Sequence, residues 1–351
     1  MAAKLNLYQR SRINALVRDH KFVALNRYLQ KLSDKNVDVA GVPFHALDHV
    51  LSSSTEVDLA EMAPLAHHTL EGQPRLFWAI LRDLKAGAQD NLDEIALDDH
   101  AHPMTRFEAM GWAVFCANRA VFPAEGTQVT DVFQYWDQPE PPSQIKAARQ
   151  KWVSAAHAHS WYDDAAAQEY IYAAFGPAAA REFDAFWHPA LKSDVFRLYR
   201  LIKDGGIYCD ADSLPEAEAA QFQSVGGSFL WASSLTHVPN CVVFNGWLAA
   251  PPQNVIIARL LSHVLQNIRD LEGAGIFWLS GPGAYTTFMY RHRHSVDLKL
   301  LPQGTLKAKV FRQFSAPYKE TERNWRVYEH NRGLNNEAGV QNALQSALAA
   351  A

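Results

Sequence analysis

Residues 192–212, KSDVFRLYRLIKDGGIYCDAD, decide the fold, because they contain in order a helix, a stop and a strand. Val195, Leu198 and Ile202 recur at three- and four-residue steps and form one apolar face of the predicted helix. Gly205-Gly206 follows, and glycine suits the end of a helix because it adopts left-handed conformations at no steric cost. The segment therefore predicts a helix that leads directly into a short strand.

The polar residues of this segment are spaced so that they can meet. Asp194 and Arg197 are one helical step apart and can face the same side. The predicted strand 207–209 ends directly before Asp210 and Asp212, and ligands of α/β sheets bind beyond the carboxyl ends of strands. We expect the chemistry of the chain at this point.

Two carboxylates in one loop suit a hard divalent ion with oxygen ligands. Mg²⁺ or Mn²⁺ would be held by Asp210 and Asp212 and would share its remaining positions with phosphate and water. An isolated Asp-x-Asp is weak evidence, since short acidic pairs are also common in solvated turns. The residues around the pair must therefore decide its meaning.

The composition is that of an ordinary globular protein. The 351 residues are 48% hydrophobic and 20% charged, enough for one large domain or two smaller ones. The net charge of −4 comes without a sustained Lys/Arg stripe, so no nucleic-acid partner is expected. Cys116, Cys209 and Cys241 are too few and too far apart for a disulfide framework or a zinc site, which favours a reducing compartment.

From the sequence we expect neither a signal peptide nor a membrane span. The first ten residues turn polar too soon for a signal peptide, and no stretch approaches the roughly 18 uninterrupted apolar residues of a transmembrane helix. We expect a cytoplasmic location without a transmembrane segment, with peripheral membrane contact left open.

The chain is predicted to fall into three parts. Residues 1–122 have helical periodicity, at 22–32 and 77–84 for example, and are interpreted as a helical accessory domain. The boundary lies at Phe122-Pro123, after which residues 123–335 form an α/β domain and residues 336–351 a C-terminal tail.

Strands and helices alternate in the α/β domain, which favours a largely parallel sheet. The predicted strands are 129–136, 206–209, 228–232 and 241–244, and the predicted helices are 144–157, 165–175, 190–203 and 254–268.

The flanks of the acidic pair resemble a known family. Ser193-Asp194, Arg197, the run 205–208 and Asp210-Ala211-Asp212 stand in the same order as in the Asp-x-Asp glycosyltransferases of family 32 and the related glucosylating clostridial toxins. That family includes fungal initiating mannosyltransferases and bacterial capsular-polysaccharide transferases. Residues 133–136 are similar to its first nucleotide-binding strand and 281–283 to its later Gly-Pro turn, so the resemblance covers roughly residues 129–330.

The resemblance implies roles for the matching residues. Asp210 would contact the donor ribose or sugar and share in the metal site, Asp212 would bind the metal directly, and Asp194 and Arg197 would hold the transferred sugar. Without the acidic pair, Asp194 and Arg197 would be read as an ordinary helix-surface ion pair.

Three aromatic residues are assigned by the same resemblance. Tyr208 would place its hydroxyl near the diphosphate, and Trp136 could stack on the donor base, although core packing is the alternative for both. Trp325 would reach the leaving oxygen of the donor.

A third metal ligand is expected just before Trp325, but the register of this segment is ambiguous. Glu320, Asn324 and His330 are the candidates.

The implied protein is a GT-A-type, Rossmann-like nucleotide-sugar-binding enzyme that retains the anomeric configuration. It would move a sugar from a UDP- or GDP-sugar to a polysaccharide such as a capsule, a glycolipid or a protein. No nucleophile is evident, so an internal-return path with ion-pair character is favoured over a covalent intermediate.

Two other functions remain open. A haloacid dehalogenase-type phosphatase also carries an Asp-x-Asp after a strand, but the double glycine before Cys209 fits it poorly. A non-catalytic nucleotide-sugar or glycan-binding module is the other, and the intact site residues argue against it. The histidine pairs, such as His45/His49 and His292/His294, lack the companions of a specific zinc site.

Overall fold

The structure, a computed structural model, describes residues 2–52, 57–70, 73–120, 131–156, 158–219, 230–237, 240–334 and 337–349. Two compact units are present. The first comprises Met1–Ala117, Leu235–Val242 and Pro302–Gly304, and the second comprises Asn118–Ser234, Val243–Leu301 and Thr305–Ala351. The predicted domain boundaries at 122/123 and 335/336 lie outside the described residues.

The helices and strands alternate along the second half of the chain. The α-helices are α1 (Leu7–Arg18), α2 (Phe22–Ser33), α3 (Val42–Ser52), α4 (Pro74–Ala86), α5 (Asp90–Ala96), α6 (Pro103–Asn118), α7 (Ser143–Ala155), α8 (Asp164–Phe175), α9 (Pro177–Asp184), α10 (Pro189–Asp204), α11 (Val255–Asp270), α12 (Ile276–Leu279), α13 (Pro282–His292), α14 (Gln303–Lys309), α15 (Trp325–Arg332) and α16 (Glu337–Ala349). The strands are β1 (Val132–Tyr135), β2 (His159–Tyr162), β3 (Gly206–Cys209), β4 (Ser213–Pro215), β5 (Leu230–His237), β6 (Asn240–Ala250), β7 (Leu298–Pro302) and β8 (Phe311–Gln313). In the described residues, 3₁₀ segments span Leu59–His68 and Pro317–Glu320.

The described part of the first unit up to Ala117 is helical, as its periodicity predicts. Its predicted apolar faces are buried, at Phe22, Leu25, Leu29, Leu32, Phe77, Ile80 and Leu81. Burial of these faces supplies the hydrophobic free energy that holds short helices together. That this unit acts as an accessory domain stays a prediction.

Within the described residues, a six-stranded sheet runs in the order β2-β1-β3-β6-β5-β7. β1 pairs in parallel with β2 and with β3, so the carboxyl ends of these three strands lie at one edge. Trp136 follows β1 and Asp210 follows β3, and both therefore lie at that edge. A separate two-stranded sheet pairs β4 antiparallel with β8.

The turn from α10 into β3 depends on two glycines. Gly205 ends the helix with φ +69° and Gly206 starts the strand with φ +116°, a region that favours glycine. A Cβ at Gly205 would lie 2.6 Å from the backbone nitrogen of Pro252, and one at Gly206 would lie 2.8 Å from the carbonyl oxygen of Asp131. The double glycine therefore lets β3 enter the sheet directly beside β1.

The sheet is rich in parallel pairs, as predicted, because β1 pairs in parallel with both β2 and β3. One pair departs from this: β6 runs antiparallel to β3, with Tyr208 opposite Leu248 and Cys209 opposite Trp247. β2 was not predicted, because its four half-buried residues lack a clear apolar alternation. Of the predicted strand 228–232 and helix 144–157, residues 228, 229 and 157 lie outside the described residues.

No helix in the described part of the chain combines the length and the apolar character needed to cross a membrane.

Candidate functional site

Asp194 lies on the first half of α10, where it is 6% exposed and held from three sides. Asn245 Nδ2 donates to its Oδ1 and Ser280 Oγ donates to its Oδ2, each at 2.8 Å. The Arg197 guanidinium lies 2.7 Å from Oδ1 and forms an ion pair. Asp194 and Arg197 therefore form a buried ion pair, not the ordinary helix-surface pair that was the alternative to a role in the site.

Arg197 is fixed equally firmly. Its Nε donates to the carbonyl oxygen of Ser193 at 3.0 Å, its Nη1 donates to the carbonyl oxygen of Asn245, and its guanidinium lies 4.1 Å from the ring centre of Tyr208. Its Nη2 reaches to 3.8 Å from Asp210 Oδ1. Arg197 thus places a buried positive charge between the carboxylate of Asp194 on α10 and the carboxylate of Asp210 in the loop after β3.

These contacts join six residues, which we call the Arg197 cluster: Ser193, Asp194, Arg197, Tyr208, Asn245 and Ser280. It brings together the predicted residues Asp194, Arg197 and Tyr208.

Asp210 lies between this cluster and the end of the sheet. The Tyr208 hydroxyl donates to its Oδ1 at 2.9 Å, and Gln313 Nε2 donates to its Oδ2 at 3.2 Å. Its backbone N–H donates to the carbonyl oxygen of Gly246 at 2.9 Å, and a Cβ at Gly246 would lie only 2.4 Å from Oδ2. The close passage of β6 leaves room for the carboxylate only because residue 246 is glycine.

Asp212 has a different set of partners. The Tyr318 hydroxyl donates to its Oδ2 at 2.9 Å, and the Lys319 ammonium lies 2.5 Å from the same oxygen. Lys319 Nζ also donates to the carbonyl oxygen of Phe314 at 2.9 Å. We name Asp212, Phe314, Tyr318 and Lys319 the Asp212 cluster.

Burial changes the protonation of the site. Desolvation raises the pKa of Asp194 to about 7 and that of Asp210 to about 6, although the Arg197 charge opposes both shifts. Desolvation also raises the pKa of Tyr208 well above its usual value, so the hydroxyl stays a hydrogen-bond donor at neutral pH.

Trp136 packs against Tyr318 of the Asp212 cluster and against the segment before α15. Its ring lies edge-on to Tyr318, with centroids 5.1 Å apart, and the Arg323 guanidinium lies 5.4 Å from its centre. The ring is 8% exposed, and its buried Nε1 has no hydrogen-bond partner among the described residues. A buried indole N–H without a partner costs free energy. A ligand that accepts a hydrogen bond from Nε1 would remove this cost.

The candidates near the C-terminus lie on α15 and the turn before it. Trp325 is the first residue of α15 and its ring lies 6.0 Å from that of Phe277. Asn324 caps the helix by accepting from the N–H of Arg326, while its Nδ2 donates to the carbonyl oxygen of Lys319.

The other two candidates for the third metal ligand are exposed. Glu320 ends the 3₁₀ segment and His330 lies on α15. The structure gives neither of them a contact with Asp210 or Asp212, and the third metal ligand stays a prediction.

The donor groups fit a hard cation that takes only part of its coordination shell from the protein. In the described residues no group of three His, Cys, Asp or Glu side chains is placed to hold a metal. Asp210 and Asp212 offer oxygen only, and the Lys319 ammonium on Asp212 shows that this position attracts a cation. Mg²⁺ in proteins is commonly held by one or two carboxylates together with substrate phosphates, which matches this set.

Several site residues were not predicted from the sequence: Asn245, Gly246, Ser280, Gln313, Tyr318 and Lys319. They come from four segments far from α10 in the chain. A weak signal existed for two of them, because Asn245 interrupts the apolar run of β6 and Ser280 precedes the Gly-Pro turn.

Comparison with known proteins identifies part of the chain. Residues 133–226 match the model of the glycosyltransferase sugar-binding region containing a DXD motif, which confirms the resemblance predicted from 192–212. The match contains Asp194, Arg197, Asp210 and Asp212. No curated protein sequence matches the chain.

Among solved structures, the chain is similar to one titled PaToxG Glycosyltransferase. The two share 14% sequence identity, and the alignment covers 75% of this chain and 96% of that one. The TM-score of 0.36 is too low to support an argument about fold or function.

Proposed function

We propose that this chain, which carries the DXD sugar-binding region of glycosyltransferases, is a metal-dependent enzyme that uses a nucleotide-diphosphate sugar. The observation that carries the proposal is the position of Asp210 and Asp212 directly after β3, with the first beside the buried Arg197. A solvated turn would not give an acidic pair such partners. We further propose that the second unit has a GT-A-type arrangement.

Asp210 and Asp212 would hold Mn²⁺ or Mg²⁺ against the diphosphate. The ion would act there as a Lewis acid and stabilise the negative charge of the departing nucleotide diphosphate. Tyr208 contributes a hydroxyl that already donates to Asp210 and stays protonated at neutral pH. Gln313 fixes the other oxygen of Asp210, so this carboxylate is oriented before any ligand arrives.

The transferred sugar would lie against the Arg197 cluster. Asp194 can accept hydrogen bonds from sugar hydroxyls, and Arg197 adds positive charge close to the anomeric region. Because both side chains are held by several hydrogen bonds, the site needs little reorganisation when charge develops in the transition state. We propose retention of configuration by internal return, since the described residues place no further carboxylate in the Arg197 cluster.

The nucleotide would extend toward Trp136. The unpartnered indole N–H and the packed ring suit a base or ribose better than pure core packing does. Trp325 is the proposed donor to the leaving oxygen, and the polysaccharide, glycolipid or protein acceptor would bind opposite the donor.

The proposal is tested by nucleotide release. Purified protein is incubated with a panel of UDP- and GDP-sugars in Mn²⁺ or in EDTA, and the freed nucleotide is measured by mass spectrometry. We expect release from one donor in Mn²⁺, none in EDTA, and a loss of about 10²-fold or more in Asp212→Asn, the size typical of removing one electrostatic stabiliser.

The control makes the same substitution at the exposed Asp270 of α11, which should leave release unchanged. If calorimetry finds no binding of any donor or of UDP and GDP in Mn²⁺, the proposal is wrong. Release that persists in EDTA and in Asp212→Asn would contradict the metal dependence.

A further inference from the structure

The Asp212 carboxylate is already neutralised by the protein itself. Its side chain is 7% exposed and its Oδ2 takes both the Tyr318 hydroxyl and the Lys319 ammonium. A buried carboxylate without a counter-charge would be costly, so Lys319 stabilises Asp212 in the absence of any ion.

The Lys319 side chain can move away from Asp212 as well as bind it. Its side chain is 30% exposed, and it starts from the short 3₁₀ segment Pro317–Glu320 rather than from the sheet. The backbone of the segment is held independently, because Asn324 Nδ2 donates to the carbonyl oxygen of Lys319 at 2.7 Å. The flexible side chain can therefore change partner while the turn keeps its place.

An ammonium and a divalent ion cannot share one carboxylate oxygen at contact distance, because their charges repel strongly in a partly buried site. Any ion that takes Oδ2 of Asp212 must displace Lys319. The displaced ammonium then needs a new anionic partner, and the diphosphate of a nucleotide donor is the one that arrives at the same place.

We propose that Lys319 couples metal binding to donor binding: it occupies Asp212 when the site is empty and moves to the diphosphate when ion and donor bind together. This inference rests on the proposed function. The ion alone binds weakly because it must release Lys319 without a replacement partner. The ion with nucleotide binds well because the diphosphate receives the ammonium.

The test measures Mn²⁺ affinity by electron paramagnetic resonance, without nucleotide and with saturating UDP or GDP. Lys319→Met should bind Mn²⁺ alone about tenfold more tightly than the parent chain, and the gain in affinity caused by nucleotide should shrink by a similar factor, within the range of ordinary coupling energies. Lys319→Arg keeps the charge and should restore both the weak binding and the coupling.

The matched control is Lys146→Met, which removes a lysine paired with the exposed Glu140 of the same unit and should change neither quantity. Thermal unfolding of every variant checks that it is folded, and Lys319→Gln, which also removes the charge and has the same expected result, carries the test if Lys319→Met is not. Equal Mn²⁺ affinity and equal nucleotide gain in Lys319→Met and the parent chain would overturn the inference alone. Absence of Mn²⁺ binding to the parent chain and all variants, with either nucleotide, would overturn the proposed function as well.

Discussion

The Arg197 cluster and the Asp212 cluster each neutralise a buried carboxylate, but they do so in opposite ways. Asp194 takes its charges and hydrogen bonds from Arg197, Asn245 and Ser280, and its partner Arg197 has only 4% of its side chain exposed. Asp212 takes them from Lys319 and Tyr318 on one short turn. The first cluster is held by α10, β6 and the segment before α13, whereas the second is held on one side by a long flexible side chain.

The difference separates two tasks within one site. A cluster that must recognise a neutral sugar gains from being rigid before the ligand arrives, because little ordering entropy is then lost on binding. A cluster that must admit a cation and a diphosphate gains from a partner that can be exchanged. Substitutions in the Arg197 cluster should therefore lower stability as well as sugar binding, whereas substitution of Lys319 in the Asp212 cluster should act mainly on binding of the cation and the diphosphate.

The largest expected effect is on the stability of Arg197→Met. The substitution leaves the buried Asp194 without its counter-charge, and breaking a buried ion pair in this way costs about 3–5 kcal/mol. Urea unfolding of the variant and the parent chain measures the loss.

The control is Arg312→Met, which removes an exposed arginine paired with the half-buried Glu216, and a loss below about 1 kcal/mol is expected. Losses of equal size in the two variants would remove the contrast between a rigid cluster and an ordinary surface pair.

A second expected effect is on the pH dependence of stability. Burial raises the pKa of Asp194 from 3.8 in the unfolded chain to about 7 in the folded one. Between these values the folded chain binds more protons at Asp194 than the unfolded one, so the contribution of Asp194 to stability is largest below pH 4 and is lost as the pH rises toward 7. One group contributes at most about 1.4 kcal/mol per pH unit in this window.

Asp194→Asn should reduce that slope, measured as the free energy of unfolding from pH 4 to pH 7 in EDTA. Asp210, whose pKa is raised to about 6, contributes in the same direction and should keep part of the slope in the variant. Identical slopes in the variant and the parent chain would show that Asp194 is ionised without penalty.

The smallest expected effects on stability belong to the candidates for the third metal ligand. Asn324→Ala should lose about 1 kcal/mol because Asn324 caps α15. Glu320→Gln should change stability by less than about 0.5 kcal/mol because Glu320 is exposed.

Asn324 is engaged in the helix cap, whereas Glu320 has a carboxylate that takes no part in it. Glu320→Gln should therefore weaken Mn²⁺ binding in the presence of nucleotide. We expect at least about tenfold, the effect seen even for outer partners of metal sites. Unchanged affinity would leave Asn324 or His330 as the ligand.

Features encoded within one segment could be predicted from the sequence, whereas side chains brought to the site from distant segments could not. Residues 192–212 contain the helix, the stop and the strand within 21 positions, so their order and apolar spacing were enough to predict α10, β3 and the acidic loop. Asn245, Gln313 and Lys319 reach the same place only through the pairing of β6 with β3 and of β8 with β4. Such pairing depends on long-range packing, which periodicity along one segment does not encode.

The sequence did not determine the direction of β6, for the same reason. A buried apolar strand looks alike in sequence whether it runs parallel or antiparallel to its neighbour. The family model matches residues 133–226. The predicted function of Trp325 and the predicted resemblance of residues 227–330 therefore depend on segments outside the match.

The glycine opposite Asp210 makes the site sensitive to how the sheet is assembled. β6 pairs with β3 so that Gly246 meets Asp210, and the residues on either side of it are Asn245 and Trp247. If β6 slipped by one residue, one of these side chains would fill the space that the carboxylate needs, and all side chains of the strand would change face. A molecule with a misaligned sheet would therefore lack the acidic site altogether, so an active preparation reports on correct strand pairing as well as on catalysis.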